Sequence, residues 1–419
     1  SGIPVDYVAS LPAPLKAALQ GFFRPIQTTD LLEYNFASFF YPMPPCVRNR
    51  AWTWETELTV PPGFSAVANG RFTAKRPASE SADAPWIWTY VGDRPEMACE
   101  IIVGKFDIVD DPGVDFTVHH FFETGVVKDT AEPVKFARDC YSYYATTFGG
   151  DFYRDPIVVH LRPRPMISHC ISYAVLYTRE RAVLAHEMAH LWWGSTVKQN
   201  PIESSMWYEG LAEYSVMMYS RTRFGPVEFL KQLSMSNARW RRADQGPYSF
   251  RDIRQWSPDR ALGYVKGVAL FRGLETVLGP EKFGEFLRKL AAKKDEFPDV
   301  QQIREICVGL VPTCDWYFRN GFMGLGSFDM EARNAVKIGP GKWEVTIRSV
   351  GMSEWRAPVT IVVRNASGQI AATTVTIPRE GKIVAEINVE VEEFDILVDP
   401  FEDIPDANLS NNVIAVRPK

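Results

Sequence analysis

The feature that most restricts the fold of this chain is the pentapeptide HEMAH, which begins at His186 and ends at His190. An α-helix repeats every 3.6 residues, so side chains four positions apart lie on one face, and both imidazoles can reach one metal ion. Glu187 would lie beside that ion, where its carboxylate can accept a proton from a bound water. The pattern therefore predicts a helix that carries a metal site.

A catalytic zinc ion takes three protein ligands and keeps a fourth position open for water. Eighteen residues separate His190 from Glu209, which stands in WYEGLAEY, where a second helix would return a carboxylate to the imidazoles. We predict one zinc ion per chain, because HExxH followed by such a glutamate is far rarer by chance than HExxH alone. Glu213, one helical turn beyond Glu209, is either a hydrogen-bond acceptor for a zinc-bound histidine or a surface carboxylate.

Length and composition set the class of protein. The chain has 419 residues, 46% hydrophobic and 23% charged, which fits a globular protein of two or three domains. The net charge of −5, with Lys and Arg scattered, gives no case for nucleic-acid binding. The sequence contains no run of 18 apolar residues, so it predicts no membrane-spanning helix. A start at SGIPVDY suggests a fragment of a larger or anchored protein, so compartment and oligomeric state stay open.

Three segments of different texture follow one another along the chain. Alternating apolar and polar residues with Pro and Gly breaks predict a β-domain over residues 1–108. Helical spacing, as in EPVKFARDCYSYYATTFGG, predicts a mainly helical domain with a strand-rich entry over residues 109–330. Short strands at regular intervals over residues 331–419 are typical of an Ig-like β-sandwich. The predicted fold class is multidomain α+β.

Several motifs resemble the M1 family of zinc metallopeptidases, the aminopeptidase N-like gluzincins. They are HEMAHLWWG, WYEGLAEY, GYVKGVALFRGL, YPMPPCVRNRAWTWETELTVPPGFSAVANG, RPEMACEIIVGKF and WYFRNGFMGLGSFDME. The resemblance covers nearly the whole chain. It implies a shortened N-terminal β-domain, a thermolysin-like catalytic domain and a C-terminal Ig-like sandwich.

The resemblance also assigns roles to individual residues. It implies that zinc is bound by His186, His190 and Glu209. Glu187 matches the general base, and Tyr264 in YVKG matches the tyrosine that stabilises the oxyanion of the tetrahedral intermediate. A phenol directed at the developing charge favours the transition state over the bound substrate. Zinc-dependent hydrolysis of peptide bonds is the function that follows.

One segment departs from the family pattern. M1 aminopeptidases carry Gly-x-Met-Glu-Asn on a strand before the zinc helix, and its glutamate binds the substrate amine. The matching positions here are Ser168, His169, Cys170, Ile171 and Ser172, which include no carboxylate. Either another acid binds the amine, or the enzyme cleaves internal or N-blocked bonds. Neighbouring strand residues point to opposite faces, so His169 and Cys170 cannot easily share one ion, and we expect one to face the cleft and one to be packed.

Alternatives from other classes stay open at this point. A non-catalytic M1-like binding module would keep the fold without turnover, and a zinc hydrolase of non-peptide substrates such as epoxides would share the site. The presence of all the ligands, the base and Tyr264 favours the peptidase. Cys307 and Cys314 are close in sequence, so a disulfide between them is also open.

Overall fold

The structure is a computed structural model that describes most of the chain. The described residues are 26–27, 31–34, 52–92, 94–96, 99–112, 117–149, 157–161, 169–171, 174–178, 180–199, 207–242, 262–324, 328–377 and 382–417. Contacts divide the chain into two compact units, one of residues 1–201 and 293–297, the other of residues 202–292 and 298–419.

The first unit opens with a β-rich region. Its strands are β1 (Ile26–Gln27), β2 (Leu31–Tyr34), β3 (Glu55–Val60), β4 (Ser65–Ala68), β5 (Arg71–Pro77), β6 (Trp86–Val91) and β7 (Ile101–Gly104). They form a four-stranded sheet of order β1-β2-β7-β4 and a three-stranded sheet of order β3-β6-β5. Trp88 and Tyr90 are buried in the shared core, and the Tyr90 hydroxyl donates a hydrogen bond to the Ala66 carbonyl at 2.6 Å.

A mixed five-stranded sheet follows in the same unit. It contains β8 (Phe106–Pro112), β9 (Thr117–Glu123), β10 (Ile157–Leu161), β11 (His169–Ile171) and β12 (Ala174–Thr178), in the order β11-β12-β10-β9-β8. Strand β10 runs parallel to β9 and β12, and the outer strands are antiparallel. Helix α1 (Ala131–Phe148) connects β9 to β10, as the crossover between parallel strands requires. Gly149 ends it with a φ of 66°.

Helix α2 (Arg181–Ala189) carries the HEMAH motif. It begins after Glu180, whose backbone is extended, and it ends at His190. A short parallel ladder of β13 (Trp193–Gly194) and β14 (Val197–Lys198) follows the helix. Residues 293–297 contact this ladder, where the Lys198 N–H donates a hydrogen bond to the Glu296 carbonyl at 2.9 Å.

The second unit begins with helices. They are α3 (Trp207–Phe224), α4 (Pro226–Arg242), α5 (Gly267–Leu278), α6 (Pro280–Ala291), α7 (Val300–Leu310) and α8 (Asp315–Tyr317). Gly225 and Gly279 have φ of 91° and 79°, and each stands directly before a helix that starts with proline. Glycine adopts this backbone without strain, and proline suits the first helical position, so the sequence defines both turns. A π-helical turn, Leu262–Lys266, leads into α5.

Two antiparallel sheets complete the second unit. Their strands are β15 (Met330–Gly339), β16 (Lys342–Ser349), β17 (Pro358–Asn365), β18 (Gly368–Thr376), β19 (Lys382–Asn388), β20 (Phe394–Val398) and β21 (Val413–Val416). The orders are β15-β16-β19 and β18-β17-β20-β21. The segment between β20 and β21 carries acidic groups that bind the helices, since Arg272 pairs with Asp403 and Arg241 pairs with Glu402. Helices and the segment between the strands are therefore joined within this unit by partly buried ion pairs.

Most predicted elements are present, and the β-rich N-terminal region and helical middle of a multidomain α+β fold are confirmed. The segment PPGFSAVANG, which carries Pro and Gly breaks, also contains strand β4 in its second half, where all four residues are buried and paired with β7. Residue 108 lies inside β8, and the division into domains at 108 and 330 stays a prediction. Cys307 and Cys314 are free thiols, and no described helix is long and apolar enough to cross a membrane.

Candidate metal centre

Helix α2 brings two buried histidines and a buried glutamate together. The Nε2 atoms of His186 and His190 lie 2.9 Å apart, and the two rings are nearly perpendicular at 88°. With Glu187 they form a group in which one ligand atom from each residue lies within 4.8 Å of the others. All three residues are buried. Such a group of converging nitrogen and oxygen donors can bind a metal ion.

The hydrogen bonding of His190 fixes which ring nitrogen is available to a metal. Its Nδ1 lies 2.8 Å from the Trp193 carbonyl oxygen, which can only accept a hydrogen bond. Nδ1 therefore carries the proton, and in the neutral ring the lone pair is on Nε2, the atom that faces His186. Backbone carbonyls orient zinc-binding histidines in this way. The residues present fit a zinc ion.

Aromatic residues hold α2 against α1. Trp192 and Trp193 are fully buried, and the Phe148 ring centroid lies 5.9 and 5.0 Å from theirs. The Tyr144 hydroxyl donates a hydrogen bond to the Ala185 carbonyl at 3.1 Å. Trp192 and Trp193 therefore pack α2 against the end of α1.

Strand β11, at the end of the five-stranded sheet, carries part of the segment that departs from the family motif. The Cys170 Sγ lies 3.9 Å from the Ser195 Oγ, and burial raises the pKa of this thiol, with the charge of Glu187 raising it further. A neutral thiol is a poor metal ligand, and Cys170 is not in the three-residue group on α2.

The other four positions of that segment are only partly described. His169 pairs with Leu176, and Ile171 pairs with Ala174, which fixes both backbones in β11. Ser168 and Ser172 lie outside the described residues, as do the side chains of His169 and Ile171. A substrate-binding role for the segment therefore stays a prediction.

The other predicted site residues lie in the second unit. Glu209 is half-buried in the first turn of α3, and Glu213 follows one turn later on the same helix. Tyr264 is half-buried on the π-helical turn and packs against the core cluster of Trp240, Val265 and Ala269.

Tyr208 links Glu209 to Tyr264. Its hydroxyl is buried, and burial raises its pKa strongly. The Glu209 carboxylate, with which it hydrogen-bonds, and the Tyr264 phenol raise the pKa further. Glu209 and Tyr264 therefore both lie close enough to the Tyr208 hydroxyl to interact with it electrostatically.

A direct backbone contact also joins the two elements that carry these residues. A methyl group on Gly210 would lie 2.5 Å from the Gly267 Cα and 3.1 Å from the Gly263 carbonyl oxygen. Sequence reasoning did not single out Tyr208 or this glycine pair. The signal available was a glycine inside each of two strongly helical patterns, WYEGLAEY and YVKGVALFRGL.

Comparisons with known proteins agree with this geometry. Residues 166–298 match the family model described as the peptidase family M1 domain. A search of curated proteins found no match. The fold is similar to that of Legionella pneumophila aminopeptidase A in complex with aspartic acid, with a TM-score of 0.73 and 14% identity. That match covers 92% of this chain and 48% of the Legionella protein, so the chain spans about half of that relative.

The M1 zinc metallopeptidase of Deinococcus radiodurans is also similar, with a TM-score of 0.59, 18% identity and coverage of 71% of this chain and 70% of that one. A mutant of that enzyme bound to a Tyr-Ser-Ala substrate is similar with a TM-score of 0.57 and 19% identity, and the match covers 70% of this chain and 69% of that one. At these identities the likeness is one of fold. The family model, matched over residues 166–298, and the similar folds both point to peptidase family M1.

Proposed function

We propose that this protein is a zinc-dependent peptidase of the M1 type. The observation that carries the proposal is the buried pair of His186 and His190, whose Nε2 atoms face each other at 2.9 Å with Glu187 beside them. The family match and the neighbours named as an aminopeptidase and a zinc metallopeptidase support it. In this proposal the middle of the chain is thermolysin-like and the C-terminal sheets form an Ig-like sandwich.

The zinc ligands in the proposal are His186, His190 and Glu209. The third follows from the spacing of Glu209 after HEMAH and from the family motif. When bound, zinc lowers the pKa of a water ligand toward about 7 and polarises the scissile carbonyl. Glu213 would accept a hydrogen bond from a zinc-binding histidine.

Glu187 is the general base, and then the general acid, in this proposal. Its carboxylate is buried beside the histidines, where it accepts a proton from the attacking water and passes it to the leaving amine. Tyr264 donates a hydrogen bond to the carbonyl oxygen as negative charge develops there. Peptide hydrolysis needs no other cofactor in this scheme.

Substrate binding is proposed along β11, over Ser168 to Ser172. Strand β11 stands at the end of the sheet order, where an extended peptide can add as a further strand. The segment has no carboxylate to bind an α-amine. The proposal therefore has two forms, an aminopeptidase whose amine-binding acid lies elsewhere and a peptidase that accepts internal or N-blocked bonds.

The test of catalysis is a Glu187→Gln variant assayed beside Glu180→Gln, which changes an exposed glutamate just before the same helix. Glu187→Gln is expected to bind one zinc ion and to lose about 10²- to 10⁴-fold in kcat. Glu180→Gln is expected to match wild type. If wild type hydrolyses a mixed peptide pool no faster than Glu187→Gln, peptide hydrolysis that depends on Glu187 is refuted.

The bond that is cut is read from paired peptides, one with a free N-terminus and one acetylated, by mass spectrometry of the products. Cleavage of the free peptide alone, one residue at a time, supports the aminopeptidase form. Cleavage of both peptides supports the second form. If neither peptide is cleaved while zinc is bound, a non-peptide substrate such as an epoxide becomes the hypothesis to test.

A further inference from the structure

We propose that a glycine-to-glycine helix contact positions two residues of the proposed site, Glu209 and Tyr264, relative to each other. The contact joins Gly210 of α3 to Gly267 of α5, and Tyr208 lies beside it. This inference rests on the proposed function, since it explains how two of the groups in that site are held. Gly210 and Gly267 are positioning residues, because they act through other side chains.

The contact is between backbones and has no room for a side chain. A methyl group on Gly210 would lie 2.5 Å from the Gly267 Cα, and one on Gly267 would lie 2.5 Å from the Gly210 Cα. Packed helix axes are commonly 8–10 Å apart, a spacing set by the side chains between them. Here the neighbouring atoms belong to the main chain and cannot rotate away. Any side chain at either position must push α3 and α5 apart.

Space, rather than backbone freedom, is what glycine supplies at these positions. Neither Gly210 nor Gly267 is among the described glycines with positive φ. Both lie in α-helices, where alanine is the more favourable residue. The two glycines therefore lower the stability of their own helices, but they allow α3 and α5 to approach each other closely.

The contact lies next to both predicted site residues in sequence. Gly210 directly follows Glu209, and the other side of the contact runs from the Gly263 carbonyl to Gly267, which brackets Tyr264. This stretch is the π-helical turn, a distortion found frequently at functional sites. Tyr208 hydrogen-bonds Glu209 and lies close to Tyr264. The crossing thus determines the distance from the carboxylate to the phenol.

The size of the effect follows from the geometry. A carbon–carbon contact of 2.5 Å must lengthen to about 3.5 Å, so an added methyl group moves one helix by about 1 Å. A misplacement of about 1 Å costs about 100-fold in rate. Loss of correct ligand orientation weakens zinc binding by about 10-fold or more.

The experiment compares Gly210→Ala and Gly267→Ala with Gly309→Ala. Gly309 lies in α7 and has no atom within 4 Å of an added methyl group, so it is the matched helix-glycine control. Each variant is measured for kcat and KM on a quenched peptide, for zinc affinity by chelator competition, and for helix content by circular dichroism. We expect a loss of about 100-fold in kcat and about 10-fold in zinc affinity at the contact, and wild-type values for Gly309→Ala.

A double-mutant cycle separates positioning from general destabilisation. If Gly267→Ala acts through the phenol, adding it to Tyr264→Phe lowers kcat by less than about 3-fold. A purely structural effect would multiply with that of Tyr264→Phe and would overturn the inference. The inference is also refuted if the folded alanine variants keep both kcat and zinc affinity while Tyr264→Phe loses activity.

Failure of the proposed function looks different. If Tyr264→Phe retains full activity, the proposed role of that phenol is wrong, whereas zinc affinity still reports the placement of Glu209. If the alanine variants do not fold, Tyr208→Phe tests the same arrangement without adding volume. It is expected to weaken zinc binding and to be non-additive with Tyr264→Phe, and unchanged values for both would overturn the inference.

Discussion

A buried histidine pair in the first unit is expected to make that unit unstable in acid. The Nδ1 atom of His120 on β9 lies 2.9 Å from the Nε2 atom of His160 on β10. The Phe122 ring stacks on the His160 ring, with 4.1 Å between the ring centroids. Burial lowers the pKa of both imidazoles, that of His120 to about 4. Charged groups near His120 have smaller effects of both signs, from Asp111, His119, Arg138 and Asp110.

The sign and size of the effect follow from proton linkage. An unfolded histidine titrates near 6.5, so between pH 6.5 and 4 the unfolded chain binds more protons at this position than the folded one. Stability is therefore complete above pH 6.5 and falls as the pH falls toward 4. A pKa difference of about 2.5, at about 1.4 kcal/mol for each, amounts to about 3 kcal/mol lost from His120 by pH 4.

The assay is urea unfolding of wild type and of the double variant His120→Phe, His160→Phe at pH 7, 5.5 and 4. Replacing both partners by apolar rings of similar size is expected to cost little at pH 7 and to remove about 3 kcal/mol of the acid loss. Val159→Ala, a change of a fully buried residue on β10, is the control. It is expected to destabilise by about 2 kcal/mol at every pH, and it identifies the transition that reports this unit. Equal acid loss in wild type and the double variant would refute the reasoning.

Three further predictions concern the ion pairs, the zinc helix and the metal. Arg272→Ala removes one partner of the buried Glu275 carboxylate and of the partly buried Asp403 carboxylate; because Glu275 keeps Arg221, a cost of about 3 kcal/mol is expected in urea unfolding. Arg76→Ala, at an exposed pair, should cost less than about 1 kcal/mol. Tyr144→Phe removes a hydrogen bond to a carbonyl of α2, and a loss of about 1 kcal/mol is expected in the same assay. Removing zinc with a chelator should lower the unfolding temperature, and zinc at about 1,000 times its Kd should restore about 4 kcal/mol.

Sequence patterns identified the parts of this protein that depend on local spacing. HEMAH defines a helical face by itself, so the approach of His186 to His190 could be predicted from the order of residues alone. The contact between Gly210 and Gly267 joins residues 57 positions apart and depends on how two helices cross. A glycine in a helical pattern shows that something needs space but not what fills it. The alternation of apolar and polar residues does not show strand β4 for a related reason, since its four residues are all buried and pair with β7.

Two histidine pairs in the first unit have the same nitrogen-to-nitrogen distance, 2.9 Å, but not the same chemistry. The rings of His120 and His160 are close to parallel at 28°, and no described Cys, Asp or Glu joins them in a three-residue metal-binding group. One ring can donate its proton to the other, which satisfies both atoms without a metal. The rings of His186 and His190 are perpendicular, a backbone carbonyl holds the proton of His190 on its other nitrogen, and the Glu187 carboxylate lies close to both rings. We therefore expect one zinc ion per chain by metal analysis, retained when His120 and His160 are both replaced and lost in His186→Ala. If wild type binds a second zinc ion, or if His186→Ala still binds one, this reasoning is wrong. The short distance between two histidine nitrogens would then be enough for metal binding, whatever groups surround the pair.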